Sequence, residues 1–138
     1  MNHISYYIIT MVFLLFGTTH IKAQNPDKQN YLVISKNIKQ LNPILLTAQE
    51  LQNEDGKTFG DFIVIFCGKT VSKMVNDPDL NKLLEQAKEQ HIQILACGLS
   101  LKKFHINPEE LPNSIKIAEN GILKSFQLIK KGYLTLTI

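Results

Sequence analysis

Two stretches decide the fold: residues 62–68 read FIVIFCG, and residues 92–98 read IQILACG. Each is a run of apolar, mostly strand-forming residues that ends in Cys-Gly, so each predicts a buried strand followed by a turn. Cys67 and Cys97 are the only cysteines of the chain. Because ligands and reactive groups of open α/β sheets gather beyond the carboxyl ends of the strands, we expect both thiols at the functional edge of a sheet.

The surrounding chain alternates between strand-like and helix-like segments. Helical spacing over residues 37–52 predicts a helix that begins near Pro43 with Asn42 as its N-cap, and Asp77-Pro78 marks the start of another. Predicted strands cover residues 31–35, 59–67, 92–97, 115–118 and 133–138. Further helical segments are expected over residues 69–75, 99–104 and 107–110, and after Asn120-Gly121, the last with Ile122, Phe126 and Ile129 on one face.

Alternation of this kind, with short connections, implies parallel strands with helices on both faces of the sheet. The strands are continuously apolar, as expected where both faces of a sheet are covered. We therefore predict a single α/β domain over residues 31–138.

The amino-terminal residues predict export. Residues 6–17 are almost wholly apolar, and a short polar stretch follows, so residues 1–23 fit a signal peptide cleaved after Ala23. Residues 24–30 would then be a polar leader. An uncleaved amino-terminal anchor is the alternative, and it would be the protein's only link to a membrane. Both interpretations place the domain outside the cytosol, in the periplasm or secreted, where free thiols are prone to oxidation.

Composition argues against several classes of function. All 15 basic residues are lysine, so the bidentate arginine contacts typical of phosphate and base recognition are missing, and we expect no nucleic-acid partner. No set of histidine, cysteine and carboxylate residues has metal-ligand spacing, and Gly68 and Gly98 are single turn glycines rather than a phosphate loop. We expect neither a metal nor an organic cofactor.

Several segments carry a family resemblance: residues 94–98 read ILACG, residues 100–102 read SLK, residues 106–111 read INPEEL, and Gly132-Tyr133 opens the last strand. With these segments the chain resembles the DsrE/DsrF-like sulfur-relay family over nearly all of its predicted domain. The resemblance implies a three-layer α/β/α domain with a five-stranded, mainly parallel sheet. It also implies a homo-oligomer, a trimer or hexamer, and a persulfide-carrying cysteine at Cys97.

The position of the cysteines at strand ends and the family resemblance together indicate the site residues. A cysteine just before a helix amino terminus gains from the helix dipole and from loop amides, which favour a thiolate at Cys97; a buried, inert strand cysteine is the alternative. If the sheet order follows the family, Cys67 lies within disulfide range of Cys97, as a resolving thiol, a structural half-cystine or a packed thiol. Possible supporting residues are Gly98, Ser100, Lys102 and His105, although a histidine at such a position is more often a surface residue.

Three functional hypotheses remain open. The first is a sulfur carrier that uses Cys97 between a donor and an acceptor protein, and that acts by transfer rather than as a turnover enzyme. The second is a non-catalytic oligomeric module that binds a ligand or protein and whose cysteines are structural. The third is a thiol–disulfide oxidoreductase that uses Cys67 and Cys97, although their spacing is not the Cys-x-x-Cys of thioredoxin-like proteins.

Overall fold

The computed structural model describes residues 28–75 and 77–138; the predicted signal peptide and most of the predicted leader lie outside the described residues. Five strands form one sheet in the order β4-β3-β2-β1-β5, and every neighbouring pair is parallel. The strands are β1 (Gln29–Ser35), β2 (Phe59–Phe66), β3 (Gln93–Cys97), β4 (Ile115–Ala118) and β5 (Leu134–Thr137). The five-stranded parallel sheet is therefore confirmed.

Four α-helices connect these strands: α1 (Leu41–Asp55), α2 (Pro78–Glu89), α3 (Gly98–Lys103) and α4 (Gly121–Lys130). Short 3-10 segments accompany them at Ile38–Gln40, Gly56–Thr58, Gly68–Lys73 and Pro108–Glu110. Asp77 caps α2 as predicted, since its side chain accepts hydrogen bonds from the amides of Asp79 and Leu80. Within the described residues, none of the helices is both long and apolar enough to cross a membrane.

The helices divide between the two faces of the sheet, as the three-layer prediction requires. Alternate strand residues such as Val64 and Ile94 face α1 and α2 in the larger apolar cluster. The intervening residues, such as Ile65 and Leu95, face α4 in a smaller cluster that includes Leu128. Within the described residues, the second face is covered by one helix, the ten-residue α4. The amino terminus of α4 lies over the carboxyl edge of the sheet.

Two elements, β1 and α1, begin two residues earlier than the sequence-based expectation. Strand β1 begins at Gln29 rather than at residue 31, because Gln29 pairs with Phe59 and the Asn30 side chain accepts a 2.8 Å hydrogen bond from the amide of Asp61. The predicted N-cap at Asn42 is wrong. The Asn37 side chain accepts from the amide of Lys39, and a 3-10 turn leads directly into α1. Pro43 then lies within the first turn of α1, where backbone N–H groups have no intrahelical acceptor. The lack of an N–H at proline therefore costs no hydrogen bond.

Helix α4 presents a different face to the sheet than its apolar stripe suggests. Gly121, Ser125 and Leu128 are buried. The predicted face of Ile122, Phe126 and Ile129 is exposed, with Phe126 at 60%. Small residues on the buried side allow the helix to approach the sheet closely, and the Ser125 hydroxyl donates to the carbonyl of Gly121 at 2.7 Å. The apolar stripe is consequently a surface feature.

Candidate functional site

Cys97 ends β3 and is also the N-cap residue of α3. Its side chain points to the α4 face of the sheet, because Ala96 before it faces the opposite cluster. It is almost completely buried, with 3% of its surface exposed. The Gly121 amide donates to Cys97 Sγ at 3.4 Å. The thiol therefore lies between the end of its own strand and the amino terminus of α4.

Cys67 lies at the equivalent position one strand away. It follows β2 directly, and Phe66 pairs in register with Ala96, so the two cysteines extend adjacent strands at the same level. The amide of Cys67 donates to the carbonyl of Ser35 at 3.0 Å, which continues the β1–β2 ladder by one bond. Both thiols are free, and Cys67 is partly exposed. The predicted proximity of the two cysteines is confirmed.

Gly121 is the residue that both thiols contact. A Cβ atom built on Gly121 would lie 3.0 Å from the Cys97 Cβ atom and 3.1 Å from the Sγ atoms of both Cys67 and Cys97. The two sulfur atoms are therefore no further apart than twice the latter distance. Carbon atoms of real side chains rarely approach so closely, so any residue larger than glycine at this position would push its neighbours away by a few tenths of an ångström. The absence of a side chain at Gly121 allows the helix amide to reach the sulfur.

The surroundings of Cys97 favour its thiolate. Burial acts to raise the pKa of Cys97, but hydrogen bonds outweigh it. The hydroxyl and amide of Ser100, the amide of Gly121 and the thiol of Cys67 all donate to the sulfur, and together they lower the pKa below its ordinary value. Several donors aimed at one sulfur atom are typical of nucleophilic cysteines.

Cys67 has the opposite character. Burial, the charge of the Cys97 thiolate and the hydrogen bond that Cys67 donates to it raise the pKa of Cys67 from 9.0 to about 12. The ammonium group of Lys36 acts in the other direction but does not reverse the shift. Because the pair is coupled, the first proton leaves from Cys97 and the second is retained on Cys67.

Two of the predicted supporting residues belong to the site. Ser100 is buried, and besides donating to Cys97 its Oγ accepts a 2.8 Å hydrogen bond from the amide of Gly68. Ser100 thus links the turns after the two cysteines. Gly98 is required for packing, since a Cβ atom there would lie 2.8 Å from the carbonyl oxygen of Glu119. This close approach holds the β4–α4 turn over the thiols.

The other two predicted residues, Lys102 and His105, are exposed. Lys102 is exposed and lines a cleft of about 330 Å³ between α3 and β4, together with Gly98 and Glu119. His105 is exposed beyond the end of α3, with a φ of 55°. Within residues 28–75 and 77–138, the groups that shift the pKa of Cys97 include neither of them.

Sequence reasoning missed Gly121 and Lys36 as site residues. Both follow a strand, β4 and β1 respectively, and therefore reach the same sheet edge as the cysteines. Asn120-Gly121 supplied a signal, because it is a third glycine turn at a strand end, and Asn120 caps α4 through bonds to the amides of Ile122 and Leu123. Lys36 could have been found from its position directly after β1, at the carboxyl end of a predicted strand.

No group of histidine, cysteine, aspartate and glutamate side chains in the described part of the chain is arranged to hold a metal ion. A cavity of about 700 Å³ is lined by residues such as His91 and Gln93. Gln93 is the first residue of β3 and Cys97 the last, so this cavity is at the opposite edge of the sheet from the thiols.

Comparison with solved structures identifies the fold. A protein of unknown function from Methanobacterium thermoautotrophicum superimposes with a TM-score of 0.63 at 13% sequence identity, over 81% of this chain and 100% of that chain. A conserved protein of unknown function from Bacteroides thetaiotaomicron superimposes with a TM-score of 0.60 at 20% identity, over 79% of this chain and 95% of that chain. No curated protein matches the chain.

The family comparison covers nearly the whole sequence. A model of the DsrE/DsrF-like family matches residues 2–138, which include all of the described strands and helices and both cysteines. The similarity stated from the ILACG and INPEEL segments is thereby confirmed. This chain belongs to the DsrE/DsrF-like family.

Proposed function

We propose that this protein is a sulfur carrier that holds sulfane sulfur as a persulfide on Cys97. Its family is associated with sulfur relay, which supports the general class of chemistry. The observation that carries the specific proposal is the set of donors around Cys97 Sγ from Ser100, Gly121 and Cys67. These groups lower the free energy of a negatively charged sulfur at this position.

Loading would begin with the Cys97 thiolate. It attacks the sulfane sulfur of a donor persulfide or polysulfide, a new S–S bond forms on Cys97 Sγ, and the donor departs as a thiolate or a shorter polysulfide. Unloading is the same exchange in reverse, with an acceptor thiolate as the nucleophile. The low exposure of Cys97 supports a carrier, because a shielded persulfide is protected from solvent thiols between the two encounters.

Dithiol–disulfide exchange is the second candidate function. The observation in its favour is that the sulfur atoms of Cys67 and Cys97 both contact Gly121, so a disulfide needs little backbone movement. An oxidoreductase of this kind would cycle between the dithiol and the disulfide without carrying sulfur.

The experiment is the intact mass of the purified full chain after incubation with inorganic polysulfide and removal of excess reagent. The Cys67→Ser variant isolates the carrier chemistry, and we expect it to gain one sulfur atom that peptide mapping assigns to Cys97. The Cys97→Ser variant is the matched control and should gain none at position 97 while keeping the wild-type circular dichroism. A Cys67→Ser chain that stays unloaded would contradict the carrier and favour a structural or purely redox role.

Assembly and location are further parts of the proposal. We propose that the chain is a homo-oligomer that meets separate donor and acceptor proteins outside the cytosol. Exposed apolar side chains on α4 and β5 support assembly; Phe126 is 60% exposed and Leu136 58%. The apolar segment at residues 6–17 supports export. Cell fractionation with amino-terminal sequencing of the mature chain tests the location and the cleavage after Ala23.

A further inference from the structure

We propose that Cys67 discharges a persulfide on Cys97 as hydrogen sulfide, so that the protein is a sulfane-sulfur reductase as well as a carrier. This inference rests on the proposed function, since it requires that Cys97 be loaded first. The product in the protein is an intrachain Cys67–Cys97 disulfide, and the substrate class is any persulfide or polysulfide that can load Cys97.

The position of the two sulfur atoms carries the proposal. Both lie 3.1 Å from the same point, the Cβ position of Gly121, and Cys97 Sγ also accepts a 3.4 Å hydrogen bond from the Gly121 amide. The paired strands are in register at Phe66 and Ala96, so the cysteines that follow are separated by about one strand spacing, roughly 4.8 Å. That separation falls within the range of about 4.4–6.8 Å between Cα atoms that disulfides require.

The contact also determines which sulfur atom Cys67 can attack. Attack on the outer sulfur of the persulfide would move that sulfur to Cys67, and it needs the outer atom to lie between the two Sγ atoms. Cys67 Sγ and Cys97 Sγ already lie side by side, each 3.1 Å from the Cβ position of Gly121, so attack on the inner sulfur needs little movement of either cysteine. The inner sulfur, Cys97 Sγ, is the atom within direct reach of Cys67.

The step is balanced without a further reactant. Cys67 Sγ attacks Cys97 Sγ, the Sγ–Sγ bond forms, and the bond between Cys97 Sγ and the outer sulfur breaks. The bonding electron pair leaves with the outer sulfur, which takes the proton that Cys67 loses and departs as HS⁻, and water supplies the second proton of H₂S. The sulfane sulfur is reduced and the two cysteine sulfurs are oxidised. An external dithiol then reduces the disulfide and restores both thiols.

The different acidities of the two thiols fit their separate roles. The lowered pKa of Cys97 makes it the thiol that is loaded. The raised pKa of Cys67, about 12, keeps it protonated at neutral pH, so that it is a poor competitor for the donor and a slow nucleophile. Loading and discharge are thereby separated in time. Because the nucleophile in discharge is the Cys67 thiolate, the rate of sulfide release should increase as the pH is raised.

The test measures sulfide release and intact mass together after a short pulse of inorganic polysulfide on the full chain. The wild type should release one sulfide per chain, end two hydrogens lighter, and do so at a rate independent of protein concentration. Cys67→Ser should retain its added sulfur and release less than a tenth as much sulfide over the same time. Cys67→Ala serves as a second variant if the serine chain does not fold.

The outcomes separate this inference from the proposed function. If neither Cys67 variant loads Cys97, the carrier itself fails and discharge fails with it. If a Cys67 variant loads, and the wild type holds its persulfide equally long, discharge is overturned while the carrier stands. A disulfide that joins two chains, or a release rate that rises with protein concentration, would also overturn discharge by the partner cysteine of the same chain.

Discussion

The Gly121→Ala substitution is a direct test of the thiol site, because it adds one carbon atom where both sulfur atoms meet the helix. The added Cβ would lie 3.0 Å from Cys97 Cβ and 3.1 Å from the Sγ atoms of Cys67 and Cys97. All of these contacts are tighter than ordinary van der Waals distances. The amino terminus of α4 must therefore move away from the sheet, or the thiols must rotate.

The magnitude follows from two opposing effects. Overpacking a well-packed site by one carbon typically costs about 1–3 kcal/mol. Replacing glycine by alanine in a helix returns at most about 1 kcal/mol, and less in the first turn. We expect a net loss of about 1–2 kcal/mol in the free energy of unfolding. For a domain of roughly 100 residues, each kcal/mol lowers Tm by about 4 °C or somewhat more.

Chemical denaturation and the pH dependence of thiol alkylation give the two readouts. Displacing the Gly121 amide removes one of the donors that lower the pKa of Cys97, so the alkylation midpoint should move to higher pH. Gly56→Ala is the control. The Gly56→Ala substitution also removes the backbone freedom of a glycine, which has a φ of 53° here. The added Cβ atom would meet nothing within 4 Å. The control should leave the alkylation profile unchanged.

A double-variant cycle decides whether the sulfur contacts are the cause. In a background in which Cys67 and Cys97 are both alanine, the two closest sulfur contacts are gone and Gly121→Ala should be markedly less destabilising. An equal cost in both backgrounds would refute the sulfur contacts as the cause, because alanine keeps the Cβ atom at position 97 that lies 3.0 Å from the added carbon. So would a Gly121→Ala chain with wild-type stability and a wild-type alkylation profile.

Three other predictions concern separate features. Ser100→Ala should raise the pKa of Cys97, measured by thiolate absorbance against pH, since a side-chain donor is lost; an unchanged midpoint would contradict the assigned hydrogen bond. The pKa of Tyr31 is raised from 10.0 to about 12 by burial and by Asp55, so its contribution to stability is complete below pH 10.0 and is lost as the pH rises towards 12. Tyr31→Phe should therefore make the free energy of unfolding, measured by chemical denaturation, decline less steeply with pH over that interval. A decline as steep as that of the wild type would contradict this role of Tyr31. Phe126→Asp should lower the particle mass measured by light scattering if α4 forms the oligomer contact, and wild-type mass would exclude that contact.

Local sequence signals were sufficient for most of the fold. Continuous apolar runs ending in Cys-Gly placed β2 and β3 to within one residue, and Asp77-Pro78 placed the start of α2. These signals work because strand burial and helix capping depend on neighbouring residues. The start of α1 was misplaced because Pro43 is equally acceptable at several first-turn positions, and a 3-10 turn before the helix has no distinct sequence pattern.

The rotation of α4 could not be obtained from its sequence. Its strongest apolar periodicity, at Ile122, Phe126 and Ile129, indicates a buried face, yet Gly121, Ser125 and Leu128 are buried instead. The choice depends on how closely the helix approaches the sheet, and that distance is a property of two elements packed together. Gly121 and Ser125 face the sheet because small residues allow α4 to lie close to the ends of β2 and β3.

For the candidate site, local sequence was sufficient to predict that two thiols end apolar strands at the functional edge of a parallel sheet, because strand ends and glycine turns are encoded locally. The other properties of the site depend on how the strands and helices pack. The tertiary structure brought Ser100 and Gly121 to the sulfur of Cys97, did not include Lys102 or His105 among the groups that act on that sulfur, and gave Cys67 and Cys97 opposite pKa shifts. The physical reason is that a thiol's acidity depends on which donors and charges surround it, and those groups come from strands far apart in the chain.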